Sequence, residues 1–233
     1  MEKLKLFLKD NNLPCDASVL HKFERYRDLV FEWNQRINIT AIKDPLEFEE
    51  KNLIDSLSVA CFPEFVASKN VIDVGTGAGL PGIPLAIISP EKEFLLLDSV
   101  GKKLKIVDLI IKELGLTNVQ TLHARAEDPA HKALYRETFD FLVARALANM
   151  SVLSEYCIPY VKVGGWFVAY KTKAAEEEIQ QAANAIELLG GNMREMTKDE
   201  AGDTDHVLVW IEKVKKTPST YPRKAGLPSK NPL

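Results

Sequence analysis

Asp73-Val74-Gly75-Thr76-Gly77-Ala78-Gly79-Leu80-Pro81-Gly82 is the stretch on which the fold turns. The short apolar run 71–74 leads into it, and the pattern that follows, 81–88, is that of a helix. Glycines at a strand-to-helix turn let the backbone reverse sharply and leave main-chain atoms open to a ligand. A lone G-x-G-x-G is weak evidence, but this one stands in the strand–loop–helix setting that a nucleotide-binding turn requires. Asp73 lies two positions before the first glycine, and a second acid, Asp98, closes the next apolar run, 94–97.

Moving outward, further strand-like runs occupy 119–122, 139–143 and 166–169, with helical patterns at 102–114, 150–161 and 174–189 between them. Strands alternating with helices predict an open, mostly parallel sheet covered on both faces. Two late candidates, 192–196 and 206–211, have only a loop between them, which predicts an antiparallel pair at the sheet edge. The sum is a seven-stranded, mostly parallel, Rossmann-like α/β fold. Before residue 69 no strand-like alternation occurs. Val19, Leu20, Phe23, Tyr26, Leu29, Val30 and Trp33 fall on one face of a helix over 16–34, and Asp44-Pro45 reads as a cap and first-turn proline opening another to about residue 60. The expected organisation is a helical extension (1–68), a catalytic α/β domain (69–214) and a carboxy-terminal tail (215–233). With prolines at 218, 222, 228 and 232, the tail reads as extended.

Two nucleotide classes compete for the loop around Gly75 and Gly77. A dinucleotide enzyme uses G-x-G-x-x-G and sets its pyrophosphate on a helix N-terminus; Asp73 would add negative charge beside that anion. S-adenosylmethionine has no phosphate and carries an ammonium and a sulfonium, which suit an acid near the loop. The spacing favours the methyl donor, with a dinucleotide or a purely structural glycine turn as the alternatives. On the donor reading, Asp98 accepts from both ribose hydroxyls. Arg125-Ala126-Glu127 follows the third strand, beside the adenine in this fold, where a backbone N–H can bond a ring nitrogen and Glu127 can accept from the exocyclic amine; a solvated loop charge is the other reading of Glu127. Arg145 ends the fourth strand, pointing into the crevice where ligands of open α/β sheets sit, or else is an ion-paired arginine at a strand end.

The fourth strand also narrows the substrate. Methyltransferases acting on exocyclic base amines carry an Asn/Asp-Pro-Pro-aromatic run there, whereas this chain has Ala144-Arg145-Ala146-Leu147. Attack by a pyrimidine ring carbon needs a cysteine nucleophile, and Cys157 falls within an expected helix. No general base presents itself, and arginine cannot serve as one. Guanine N7 needs none: it offers an in-plane lone pair and no proton, so alignment with the S–CH3 bond suffices.

Composition sets outer bounds. The chain is 46% apolar and 27% charged over 233 residues, the balance of an ordinary globular protein. Residues 1–10 alternate Lys with Leu and Phe, unlike a signal peptide, and no run approaches the ~20 apolar residues of a membrane span; the expected location is the cytoplasm. Cys15, Cys61 and Cys157 and the four scattered histidines lack metal-ligand spacing, so no metal is expected. The net charge of −3 argues against a nonspecific polyanion binder. Yet Lys213, Lys215, Lys216, Arg223, Lys224 and Lys230 stand in a stretch without acids, and this stretch is expected to contribute a basic surface for RNA.

The residues 73–86, the run Leu96-Leu97-Asp98-Ser99-Val100-Gly101-Lys102-Lys103, the upstream Trp33-Asn34-Gln35-Arg36-Ile37-Asn38-Ile39-Thr40-Ala41, Leu53-Ile54-Asp55-Ser56-Leu57 and the ending 221–233 together resemble the RsmG (GidB) family. These are bacterial class I methyltransferases for guanine N7 in small-subunit ribosomal RNA. The resemblance spans nearly the whole chain. It implies S-adenosylmethionine as methyl donor, held by Gly75, Leu80, Asp98, Ser99, Val100, Ala126, Glu127 and Arg145. It further implies that Asn38, Arg145 and Lys171 border the RNA-facing pocket, and that the partner is small-subunit ribosomal RNA or the ribosomal particle, met by a monomer. A protein or small-molecule substrate for the same fold is the alternative. Many members have His where this chain has Asn52, and Gly where Thr172 stands.

Overall fold

The computed structural model describes residues 1–145, 148–198 and 206–233. Residues 146–147 of the fourth-strand run read above lie outside that set, as do 199–205. Among the described residues, strands β1 (Asn70–Val74), β2 (Glu93–Asp98), β3 (Val119–His123), β4 (Phe139–Arg145), β5 (Val161–Thr172), β6 (Gly191–Lys198) and β7 (His206–Lys213) form one sheet in the order β3-β2-β1-β4-β5-β7-β6. The first five are parallel, and β7 runs antiparallel to both β5 and β6. This is the mostly parallel sheet with an antiparallel edge pair that the sequence predicts, in the Rossmann-like order of class I methyltransferases.

Local chemistry explains most helix boundaries. Helix α1 (Glu2–Asp10), which the sequence reading did not anticipate, buries Leu4 and Leu8 one turn apart. Asp16 caps α2 (Ala17–Asn34), accepting from the N–H groups of Ser18 and Val19 at 2.8 and 3.0 Å. Asp44 does the same for α3 (Pro45–Phe48), with Pro45 at the first helical position. The helix expected to continue to about residue 60 instead widens into a π turn, Glu49–Ile54, before resuming as α4 (Asp55–Leu57). Glu49, Asn52, Leu53 and Ile54 are all buried, more inward residues than the stripe of an α-helix accommodates. A short α5 (Pro63–Val66) then adds Phe65 to the core.

Strand periodicity divides that core in two. Phe141 and Val143 of β4 face one layer, Leu142 and Ala144 the other. The first layer is closed by α1, α2, α6 (Gly82–Ile88) and α7 (Gly101–Glu113), through Leu4, Phe23, Ile83 and Ile106. The second is closed by α8 (Met150–Cys157), α9 (Glu176–Gln181) and α10 (Ala183–Leu188), through Leu153, Ile179 and Ile186. The amino-terminal helices therefore share a core with the sheet. Helix α8, expected over 150–161, ends at Cys157, because Pro159 has no N–H to continue it, and Val161 already belongs to β5.

The tail departs most from expectation. It is not extended but folds back on the second layer and ends in a helical turn, α11 (Leu227–Lys230). Arg136 gathers three of its carbonyls, donating to Tyr221 O at 2.8 Å, Thr217 O at 2.9 Å and Pro218 O at 3.2 Å. Arg223 pairs with the fully buried Glu155, its Nη2 at 2.7 Å and its backbone N–H at 2.6 Å. Lys213 is buried as well, donating to Ile158 O at 3.0 Å and pairing with Glu137 at 3.2 Å. Burial pushes its ammonium down to about 8. Lys213 and Arg223 are thus spent on partners within the protein, and the basic surface expected of the tail reduces to the exposed Lys215, Lys216, Lys224 and Lys230.

Candidate active site

The glycine loop leaves β1 and is pinned to β2: Gly75 and Thr76 donate to Leu97 O at 2.8 and 3.1 Å. Gly77 has φ +59°, a conformation other residues rarely adopt, and nothing lies nearer than 4.0 Å on its open side. Gly82 is fixed by contact instead, since a side chain there would strike Leu96 and Asp73. Asp73 is fully buried. Its Oδ2 accepts from Thr76 Oγ1 at 2.6 Å and Gly82 N–H at 2.9 Å, while Oδ1 has no hydrogen-bond partner among the described residues. Burial raises its carboxyl to about 7, against the pull of those two hydrogen bonds and of the Arg145 charge. Tyr26 of α2 reaches the loop from the first layer, its hydroxyl donating to Ala78 O at 3.0 Å.

Asp98, at the end of β2, bridges two segments of the site. Oδ2 accepts from Gly77 N–H and Oδ1 from Val100 N–H, each at 2.8 Å. Each oxygen keeps a further lone pair. Ser99 and Val100 are exposed beyond it, and Leu80 is buried in the loop behind. Ala126 and Glu127 follow β3, both buried. These elements enclose a cavity of about 400 Å³ lined by Gly75, Asp98, Ser99, Ala126 and Glu127. An open glycine turn, an acid with free lone pairs beside it and a second, buried acid in the same lining suit a cationic nucleoside donor better than a pyrophosphate.

The substrate-side expectations fare differently. Arg145 does not line that cavity; it turns to the π segment, donating to Asp55 Oδ2 at 2.8 Å, Asn52 Oδ1 at 3.0 Å and Lys51 O at 3.1 Å. Asp55 is completed by His206 Nδ1, 2.6 Å from Oδ1. Burial would raise the Asp55 carboxyl, but the His206 hydrogen bond and the Arg145 charge outweigh it and hold it below the usual carboxylate range. Lys171 is likewise engaged, with Ala148 O and Glu178 Oε1 each at 2.6 Å. Asn38 is exposed on the loop after α2, which Asn34 secures by accepting from Ile39 and Thr40 N–H. Sequence reasoning missed Asp55, His206 and Glu178 as partners of these side chains; where no general base presented itself beside strand four, the structure brings the Asp55 carboxylate and the His206 imidazole to Arg145. Asp55 stood inside a quoted motif, but its partners come from 90 and 151 residues away.

Comparison with known proteins agrees with this architecture. Residues 19–207 match the GidB model, described as rRNA small subunit methyltransferase G. A Ribosomal RNA small subunit methyltransferase G of Clostridium tetani is 47% identical over 96% of this chain and 95% of its own length. Its namesake in Clostridium perfringens strain 13 is 49% identical over 91% and 90%. Among solved structures, an S-adenosylmethionine-dependent methyltransferase from Aquifex aeolicus superposes with a TM-score of 0.57 at 21% identity, covering 76% of this chain and 97% of that one. Fibrillarin from Aeropyrum pernix, solved with natively bound S-adenosylmethionine, gives 0.51 at 12% identity over 61% and 66%. These two share the fold alone; the full-length relatives and the family model establish more, and the chain belongs to the rRNA small subunit methyltransferase G (GidB) family.

Proposed function

We propose that this protein transfers a methyl group from S-adenosylmethionine to N7 of a guanine in small-subunit ribosomal RNA. The observation that carries the reading is one cavity lined by the glycine turn at Gly75 and by two carboxylates, Asp98 closing β2 and Glu127 following β3, with the buried Asp73 of β1 holding the turn through Thr76 and Gly82. When bound, the donor supplies an electrophilic methyl on sulfur. The chain's own residues hold and orient. Asp98 takes the ribose hydroxyls, Glu127 the adenine amine, Asp73 the positive end near the glycine loop, with Gly75, Gly77, Leu80, Ser99, Val100 and Ala126 shaping the walls.

Asn38, Arg145 and Lys171 are assigned to the RNA side. Arg145 is held by Asp55, which His206 braces in turn, so the geometry is that of a clamped cation. Methylation of N7 removes no proton beforehand, and a carboxylate held ionised by two partners is a poor base; the Asp55–His206 pair serves to fix Arg145. Alignment alone can supply effective molarities on the order of 10⁵ M. The exposed lysines of the tail add phosphate contacts. Among the described residues no helix is long and apolar enough to cross a membrane. On this reading the protein meets ribosomal RNA in the cytoplasm as a monomer, and the transfer to N7 uses no metal.

The test is to incubate the purified protein with labelled S-adenosylmethionine and either protein-free 16S RNA or small subunits from cells lacking the gene, then map N7-methylguanine by base-specific strand cleavage. Label at a single guanine N7 is expected. Label on another base atom, or only on protein or small molecules, would overturn the proposal.

A further inference from the structure

We propose that the carboxy-terminal segment completes the donor site: the N–H of Gly226 positions the Glu127 carboxylate, and Gly226 and Ser229 wall the cavity at its adenine end. The inference rests on the donor reading above and adds a positioning group to it.

Part of the cavity wall is built by the tail. Gly226 and Ser229 line it together with Tyr156 of α8. Gly226 N–H donates to Glu127 Oε1 at 2.8 Å across 99 residues of sequence. Gly226 has φ +83°, the left-handed conformation that starts the turn into α11 and aims the N–H at the carboxylate. Tyr156 and Ser229 share a hydroxyl–hydroxyl bond of 2.6 Å, which holds the wall to α8.

Two features make this wall fixed. Upstream of Gly226 the segment is anchored by Arg136 and by the Arg223–Glu155 pair. Glu155 is fully buried, so lifting the segment strands a charge in the interior. Glu127 is itself 5% exposed. One N–H bonded at Oε1 sets the plane of its carboxylate and leaves Oε2 to accept from an exocyclic amine. A base with a carbonyl in that position would present an acceptor to an acceptor. The tail-held Glu127 therefore selects adenine over its deaminated counterpart.

The test uses the full-length protein, a chain ending at Lys224 that keeps both anchors, and Ser229→Trp, whose exposed site tolerates a large side chain that then intrudes on the cavity. Each is titrated calorimetrically with S-adenosylhomocysteine and with the analogue bearing hypoxanthine in place of adenine. The full-length protein is expected to prefer adenine by about tenfold or more, the scale of one hydrogen bond to a charged group. In the shortened chain the preference collapses and S-adenosylhomocysteine binds roughly tenfold more weakly. Ser229→Trp weakens both ligands while the melting temperature stays near that of the parent. If the shortened chain does not fold, Ser229→Trp alone decides. Parent-like affinity and preference in the variants that fold would overturn the inference while leaving the donor reading intact. Failure of the parent itself to bind S-adenosylhomocysteine would remove the donor reading and this inference with it.

Discussion

Replacing Asp73 by asparagine isolates one buried charge. The carboxyl that titrates at 3.8 in an unperturbed chain titrates at about 7 in the folded protein, because burial disfavours its charge more than Thr76, Gly82 and Arg145 favour it. Between those two values the folded state keeps the proton and the unfolded state has lost it. This contribution to stability is therefore complete below pH ~4 and disappears as the pH rises through ~7. At about 1.4 kcal/mol per pH unit the full linkage amounts to about 4 kcal/mol. Asp73→Asn is neutral throughout and its oxygen can still accept from Thr76 and Gly82. Urea unfolding of both proteins between pH ~4 and ~8 gives a stability difference in which every other titrating group cancels. Parent minus variant should fall by at least about 2 kcal/mol, half the full linkage, as pH rises across this window. A second readout comes from the ligand: a cation placed near the loop favours ionised Asp73, so at pH ~7 donor binding should release up to about half a proton, seen as a buffer-dependent enthalpy. A difference that stays flat, or that grows with pH, would refute the reasoning.

Asp98→Ala should weaken S-adenosylhomocysteine binding by roughly 1–3 kcal/mol by calorimetry, since it strands the Gly77 and Val100 N–H groups and removes the acceptor proposed for the ribose, with the circular dichroism spectrum unchanged. Arg223→Ala should lower unfolding stability by about 3–5 kcal/mol in urea, because Glu155 is left buried and unpaired. Changing Lys215, Lys216, Lys224 and Lys230 together to alanine should flatten the log–log salt dependence of RNA binding by about 0.7–0.9 for every phosphate these lysines neutralise in the parent, without altering donor affinity.

The sheet was legible because its signals are local. Each of the five parallel strands announces itself by a short apolar run, Asp44 by the cap it forms ahead of Pro45, and the donor loop by its glycines. What escaped was carried by distance. Helix α1 is held by Leu4 and Leu8 packing on a core that the first ten residues do not contain. The tail's prolines read as extended chain, yet its partners Glu155, Arg136 and Glu127 lie 68, 81 and 99 residues away and leave no mark on tail composition. The same holds for Lys213, whose neighbours in sequence suggest a basic surface while its neighbours in space bury it. At the candidate site, the residue types at 73, 98 and 127 could be read from pattern. For Arg145 the ion-paired reading was open from the start, but its partner Asp55 could not be read, since nothing near strand four encodes the π segment.

That π segment carries a consequence for length variation. A π turn is an α-helix holding one residue more than its hydrogen-bond ladder calls for, and each α-helical residue advances the chain by about 100°. A π-helical residue turns the chain by less than that, so removing a single residue from Glu49–Ile54 and letting the ladder heal would leave the two flanks close to their present phase. Phe48 would stay in the core and Asp55 would stay turned to Arg145, and the loss would fall between them, where Glu49, Asn52, Leu53 and Ile54 are all buried. A deletion that would throw every later side chain out of register in a regular helix is here absorbed locally, at the expense of one inward position.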